Sequence, residues 1–329
     1  MSNSPGTSMR AARLHGIRDL RVECLPRPHP GPGELLVEIE ACGVCPTDVR
    51  KYLIGVGDGG YPLNPGHEWV GRVAAVGAEV DGWAVGERVY GDTYAGYAEY
   101  ATLPATHTPW SYGALRVDDA LPLDRAVFVE PLADCIHAVS HQGRVAAGDR
   151  VVVIGAGQMG LQLVAVAHAA GARVLAVDPL DQRRRLAVEF GAEAAVDAAG
   201  WEDVALEWSG GMGAQAAILA LGRSETVAPG LRALAPGGRL VLFAGFGDRS
   251  LANVDLNVLH YRELAIVGSE WVGTPPNSRL ECYREALDLL SSGRLELEGL
   301  VTRHCTLDTL DEAFADVQRL DALKIVLTP

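Results

Sequence analysis

The 329-residue sequence predicts an α/β protein in which a doubly wound parallel sheet is inserted into a mostly β domain. Three observations carry that prediction. First, the apolar run Val151 to Ile154 leads into Gly155-Ala156-Gly157-Gln158-Met159-Gly160 and then into an Ala/Leu-rich segment through Ala170. Buried strand, glycine turn and helix in that order open a parallel βαβ unit. Second, residues 9 to about 120 alternate short apolar runs with closely spaced Gly and Pro, the pattern of an irregular, mostly antiparallel β domain. Third, the stretch after Gly268 is too short to bury a core of its own, so it is expected to return and complete the first domain. The expected boundaries are 1–124 with 269–329 for the β-rich domain and 125–268 for the inserted one.

Each element follows from local pattern. Leu35 to Ala41 and Arg72 to Val76 read as strands, and Pro46-Thr47-Asp48 reads as a turn continuing from the first. From about Leu123 the character changes. After the glycine turn and its helix come a second buried strand, Arg173 to Val177, and a helix with three arginines that ends near Phe190-Gly191. Further strands are expected at Arg239 to Phe243 and Leu264 to Val267, and alternation of strand and helix implies a parallel sheet with helices on both faces. An amphipathic helix, Ser278 to Ser291, and a final helix-strand pair ending in Lys324 to Leu327 close the chain.

A formal charge of −14 opposes nucleic acid and anionic membranes, because neither polyanion gains from meeting a surface of its own sign. Met1 to Arg10 is polar and has no signal-peptide core, and no later apolar run reaches membrane-spanning length. A cytoplasmic protein with no membrane partner is expected. The six cysteines read as reduced thiols rather than a disulfide framework. Cys42 and Cys45 form a CxxC that suits a redox motif, half of a structural zinc site, or one ligand beside a bystander. The turn expected after Cys45 favours the one-ligand role, because a redox CxxC normally opens a helix.

The glycine fingerprint follows a strand, opens a helix, and is followed by Asp178 at the end of the next strand, the context of a dinucleotide site. Gly155 allows the tight turn, Gly157 admits backbone close to a pyrophosphate, and Gly160 lets helix pack on strand, with Gln158 and Met159 between them. The free amides of the helix start hold the phosphates. Asp178 would accept from ribose hydroxyls and repel a 2′-phosphate, so NAD is expected. Of Arg183, Arg184 and Arg185, only one or two can face the ribose, and Arg183 is the expected contact.

Cys45 and His67 offer a thiolate and an imidazole to a metal. A catalytic zinc needs three protein ligands and an open position, and the third is Glu68, Glu130 or a cysteine. His67 and Glu68 are adjacent, so both reach one site only if the chain turns there. Glu130 lies in an apolar setting where an unpaired carboxylate is costly. His137, His141, His168 and His304 lack such support and read as structural.

On these residues the chain resembles the medium-chain dehydrogenase/reductase superfamily, in its zinc-dependent polyol and threonine dehydrogenase branch. The signature GHE-x2-G-x5-G-x2-V stands as Gly66-His67-Glu68, Gly71, Gly77 and Val80, and Glu130-Pro131-Leu132-Ala133 looks like the EPLA step of the polyol branch. The resemblance implies a Rossmann NAD-binding domain inserted in a GroES-like catalytic domain. It further implies Cys45 and His67 as zinc ligands and Glu68 and Glu130 as alternate or water-mediated ligands. Thr47 would be the hydroxyl that accepts the substrate proton, and Asp48 the residue that orients the site. Ala244 and Ser269 would lie near the nicotinamide.

Two departures from the pattern matter. Gly86-Glu87-Arg88-Val89 leads directly to Tyr94-Ala95-Gly96-Tyr97-Ala98-Glu99-Tyr100 with no four-cysteine lobe, so one catalytic zinc and no structural zinc is expected. Arg50 stands where relatives often place the relay histidine, and it either leaves the relay to water or contacts cofactor or an anionic substrate group.

The resemblance implies NAD-linked oxidation of a secondary alcohol of a polyol, cyclitol, sugar or amino alcohol. A zinc-free reductase acting on enones or quinones and a non-catalytic NAD(H) sensor are the rivals. The substrate is expected to be small and hydroxyl-rich, as Arg303-His304 hints. Residues 55–61 and 110–117 are expected to line its rim. A homodimer or homotetramer is expected, with Leu264 to Val267 as a pairing edge.

Overall fold

The alternating N-terminal runs form β1 (Ser8–Gly16), β2 (Asp19–Pro26), β3 (Glu34–Val44), β4 (Glu68–Val76), β5 (Arg88–Gly91), β6 (Tyr100–Pro104) and β7 (Leu115–Arg116). The structure, a computed structural model, describes residues 7–55, 60–108, 111, 113–246, 253–271, 273–319 and 322–329. Residues 1–6 of the polar start and 56–59, 110 and 112 of the expected rim lie outside that set. Pro46-Thr47-Asp48, expected as a turn, instead opens helix α1 (Pro46–Ile54). Proline at the first helical position gives up an amide that has no partner there, and Asp48 sits favourably in the first turn.

Past β7, the short α2 (Leu123–Ala126) and α3 (Val129–Ile136) run into a π-helical turn, His137–Gln142. Strand and helix then alternate: β8 (Arg150–Ile154), α4 (Gln158–Ala169), β9 (Arg173–Val177), α5 (Asp181–Glu189), β10 (Ala194–Val196), α6 (Trp201–Trp208), β11 (Ala214–Leu219), α7 (Val227–Arg232), β12 (Leu234–Leu242), α8 (Leu256–Arg262) and β13 (Ala265–Gly268). The closing elements are α9 (Pro276–Ser291), β14 (Val301–Cys305), α10 (Leu310–Arg319) and β15 (Lys324–Leu327).

The chain divides into two compact units, 1–130 with 283–329, and 131–282. Residues 125–130 therefore go with the first unit and 269–282 with the second, which moves both expected boundaries. The contacts give the reason. Arg125 Nε donates to Glu298 across 2.6 Å in the first unit. In the second, Trp271 Nε1 donates to Asp134, and Thr274 lies 3.3 Å from His137.

In the first unit the sheet order is β14-β15-β3-β4-β5-β7, with β6 also on β3. Strand β3 is central because β4 and the C-terminal β15 pair with it on opposite sides: Gly43 is opposite Glu68 of β4 and opposite Val326 of β15. Its apolar side packs Leu35, Val37, Trp69, Tyr97, Leu103, Phe314 and Ile325. In the second unit all strands are parallel in the order β10-β9-β8-β11-β12-β13. The order reverses between β9 and β11 on either side of β8, which is where such sheets bind ligands. No helix among the described residues is long and apolar enough to cross a membrane.

Candidate functional site

Cys45 is the residue before α1, and the end of β3 delivers it. His67 follows Gly66, whose φ of +92° turns the chain before β4 begins at Glu68. A side chain on Gly66 would press into the backbone of Tyr97, 2.7 Å from its nitrogen, so glycine is required there. Because of that turn, adjacent His67 and Glu68 face one place. Candidate ligand atoms of Cys45, His67 and Glu68 all lie within 4.8 Å of one another, the only such group of three or more among the described residues. A thiolate, an imidazole and a carboxylate are the donor set zinc takes in catalytic sites, and the residues fit that ion.

Hydrogen bonds through Tyr97 and Asp48 tie the Cys45 and Gly66 backbones together. The buried Tyr97 hydroxyl donates to Asp48 Oδ2 (3.0 Å) and accepts from the Cys45 amide (3.3 Å), while the Gly66 amide donates to the same Asp48 oxygen (3.2 Å). His67 Nδ1 lies 3.4 Å from Asp48 Oδ2, close enough for the carboxylate to favour the imidazole charge, and Nε2 is its other candidate ligand atom. Burial would raise the Asp48 pKa, but His67, Lys51 and Tyr97 bring it below the usual carboxylate value. Burial opposes the His67 cation, yet Asp48 and Cys45 raise its pKa well above the ordinary one. Burial and the Glu68 charge push the Cys45 thiol up, so metal uptake must displace a proton.

Behind the site Lys324 pairs with Glu68 Oε2, both side chains almost wholly buried at 0% and 1% exposure. Gly43 makes room: a Cβ there would lie 2.7 Å from Lys324 Nζ and run into the Glu68 carboxylate. A buried carboxylate needs such a partner, since an unpaired charge in the interior is strongly destabilising. Cys42 is sealed in the core with its pKa driven well up by burial. The CxxC does open a helix, but Cys42 cannot serve as an accessible redox partner. Thr47 is exposed on α1. Glu130 lies at the start of α3, its amide donating to the Tyr90 hydroxyl (3.2 Å), and it is not one of the three clustered groups.

In the second unit Gly155 adopts φ +97° at the end of β8, and Gly157 precedes α4. A Cβ on Gly160 would strike the Gly155 carbonyl, so helix and strand meet there only through glycine. Gln158 and Met159 form the first turn of α4, and the Met159 carbonyl accepts from the Cys135 thiol at 3.7 Å. Asp178 is buried. Its carboxylate accepts from the amides of Ala156 (2.8 Å) and Leu180 (2.9 Å), with Arg183 Nη1 3.8 Å away. Arg184 instead donates to the carbonyls of Asp178 and Pro179, and Arg185 pairs with Asp181. Ala244 and Ser269 follow β12 and β13, so glycine turn, Asp178, Ala244 and Ser269 share the carboxyl edge of one sheet.

Sequence reading missed Tyr97 and Lys324. Tyr97 was only part of a Gly/Tyr-rich connection, and Lys324 looked like the first residue of a terminal strand. A lysine heading a run that is otherwise wholly apolar was the available signal.

Residues 158–292 match a family model described as zinc-binding dehydrogenase, and residues 31–112 one described as alcohol dehydrogenase GroES-like domain. The chain is 29% identical to the erythritol/L-threitol dehydrogenase of Mycolicibacterium smegmatis over 100% of both chains. It is 30% identical to sorbitol dehydrogenase of Homo sapiens over 95% of this chain and 94% of that one. Among solved structures it is similar to a putative zinc-binding dehydrogenase from Sinorhizobium meliloti bound to NADP, with 28% identity, TM-score 0.85, and 98% and 99% of the two chains covered.

Proposed function

The chain belongs to the zinc-dependent medium-chain dehydrogenase/reductase superfamily, in its polyol and threonine dehydrogenase-like branch, and on that premise we propose that it oxidises a secondary alcohol of a small hydroxyl-rich molecule to a ketone with NAD as hydride acceptor. The observation that carries the reading is the convergence of Cys45, His67 and Glu68 on one point. Cys45 and His67, with Glu68 or Glu130 as alternate ligand, would hold a zinc ion, which would supply the Lewis acidity that lets an alcohol lose its proton near neutral pH. Thr47, exposed at the start of α1, accepts that proton and passes it outward. Asp48 holds the His67 ring in place, and Lys324 restrains Glu68.

Hydride transfer from the carbinol carbon to NAD would give ketone, NADH and a proton. Gly155, Gly157, Gln158, Met159 and Gly160 would receive the pyrophosphate on free amides, and Ala244 and Ser269 would stand on the nicotinamide side. The buried Asp178 charge supports NAD over NADP, with Arg183 as the ribose-side contact. We place the enzyme in the cytoplasm as a homodimer or homotetramer, with one zinc per chain.

Zinc content and NAD⁺ reduction on polyols, cyclitols and amino alcohols test this, for wild type and Cys45→Ser. One zinc per chain, and turnover that falls by at least 1,000-fold with metal loss in the variant, are expected. Full turnover without zinc would sink it.

A further inference from the structure

Lys51 and Tyr94 stand at the metal centre and take no part in the reaction just described. The Tyr94 ring packs against the His67 imidazole with centroids 5.1 Å apart, and unlike the buried Tyr90 and Tyr97 it is 51% exposed. Lys51 Nζ donates to the Tyr94 hydroxyl across 2.6 Å and lies 3.8 Å from the ring centroid. On α1 Lys51 is four residues after Thr47, so ammonium and proton-accepting hydroxyl rise from one helix face, their Cβ atoms roughly 6 Å apart.

The charge here is not spent within the protein. Neither Lys51 nor its exposed neighbour Arg50 has a carboxylate partner among the described residues. Arg21 and Arg173, by contrast, are paired with Asp19 and Glu193. Asp48 is near enough to feel Lys51 but is enclosed, with its bonds going to Gly66 and Tyr97. The Tyr94 oxygen accepts from Lys51, so its own O–H is left to donate, and the ammonium keeps further N–H groups. Donors and a positive charge with no carboxylate partner match an oxyanion better than a neutral hydroxyl.

We propose that Lys51 and Tyr94 bind an anionic group of the substrate, a carboxylate or phosphate within a few bonds of the oxidised carbinol, so that the substrate is a polyhydroxy acid or sugar phosphate rather than a neutral polyol. This rests on the dehydrogenase reading above and narrows it.

The test compares a four-carbon polyol, the matching aldonate and the matching terminal phosphate ester on the zinc-loaded protein, for wild type, Lys51→Met, Lys51→Arg and Tyr94→Phe. One of the two anions is expected to exceed the polyol in kcat/KM by at least about tenfold, which also tells carboxylate from phosphate. Lys51→Met should cut the anion-to-neutral ratio by about 10- to 100-fold, mostly through KM, with partial rescue by Lys51→Arg. Tyr94→Phe keeps the ring on His67 and should lower the ratio severalfold. A neutral polyol oxidised as well as both anions, with a ratio unmoved by Lys51→Met, overturns the proposal. If wild type turns over none of the three, the dehydrogenase reading fails, and calorimetric binding of the aldonate and the phosphate ester decides the anion site separately. Binding of either to wild type and weaker binding to Lys51→Met uphold the site. Equal binding of both, or none, overturns it.

Discussion

Removing the Lys324 ammonium should destabilise the metal-free protein and at the same time strengthen its hold on zinc. In Lys324→Met the Glu68 carboxylate stays in place, 1% exposed, with its cation gone. Deleting one partner of a buried ion pair costs about 3–5 kcal/mol, because the other charge is left desolvated and uncompensated. Replacing both partners by apolar groups of similar size removes that penalty, so Glu68→Leu/Lys324→Met should return to within about 1 kcal/mol of wild type. The double variant should therefore recover roughly 2–4 kcal/mol of what Lys324→Met alone loses, readable by urea unfolding of metal-free protein followed by circular dichroism. Zinc supplies a second readout. Freed from Lys324, Glu68 can close on the ion, so zinc should restore more stability to Lys324→Met than to wild type, and its dissociation constant should fall. A single variant within about 1 kcal/mol of wild type, or a double variant no better than the single, would show that the pair does not carry the charge as argued.

Gly160→Ala would drive a methyl group into the Gly155 carbonyl. NADH affinity, read by fluorescence titration, should drop by at least about tenfold while zinc content is unchanged, since the metal residues belong to the other unit. Asp178→Ser removes the charge that faces a 2′-phosphate while Arg183 stays, so the NADP-to-NAD ratio of kcat/KM should rise by about 10- to 100-fold. An unchanged ratio would remove Asp178 from cofactor choice. His137 is buried, stacks on Trp271 at 4.5 Å, lies 3.1 Å from Gln142 Nε2 and 3.3 Å from Thr274 Oγ1, and faces His141. Burial, helped by His141, lowers its pKa from 6.5 to about 4. The unfolded chain thus takes up this proton more readily, and the stability due to neutral His137 is complete above pH 6.5 and lost as pH falls toward 4. At most about 3 kcal/mol is involved. Thermal melts at pH 4.5 and 7.5 should show a smaller pH difference for His137→Gln than for wild type.

The parallel sheet and the clustering of His67 with Glu68 were legible in the sequence for one physical reason: both are written in short-range pattern. A buried strand, a glycine turn and a helix occupy consecutive residues, and Gly66-His67-Glu68 bends by its own glycine, so each motif could be read without its surroundings. Strand β9 falls at Arg173–Val177, as the apolar run indicated. The helix at Pro46 was misjudged because proline was read as a breaker, whereas at the first helical position it is preorganised. The unit boundaries moved because side chains decide them, and Trp271 to Asp134 or Arg125 to Glu298 is invisible in local pattern.

The least legible part of the site is its support. Lys324 is 256 residues from the carboxylate it neutralises, and no periodicity links them. What joins them is the central strand, which pairs Gly43 with Glu68 on one side and with Val326 on the other. A glycine at 43 is needed because two charged side chains meet in the space its own would fill. The ligand set therefore reaches its charge balance only when the last strand has docked, after the whole second unit has been threaded between. Closing so long a loop costs conformational entropy, and burial of Ile325, Val326 and Leu327 against the core opposes that cost. The terminal strand is thus both an inner strand of the first unit's sheet, between β14 and β3, and the element that brings a cation to the buried Glu68.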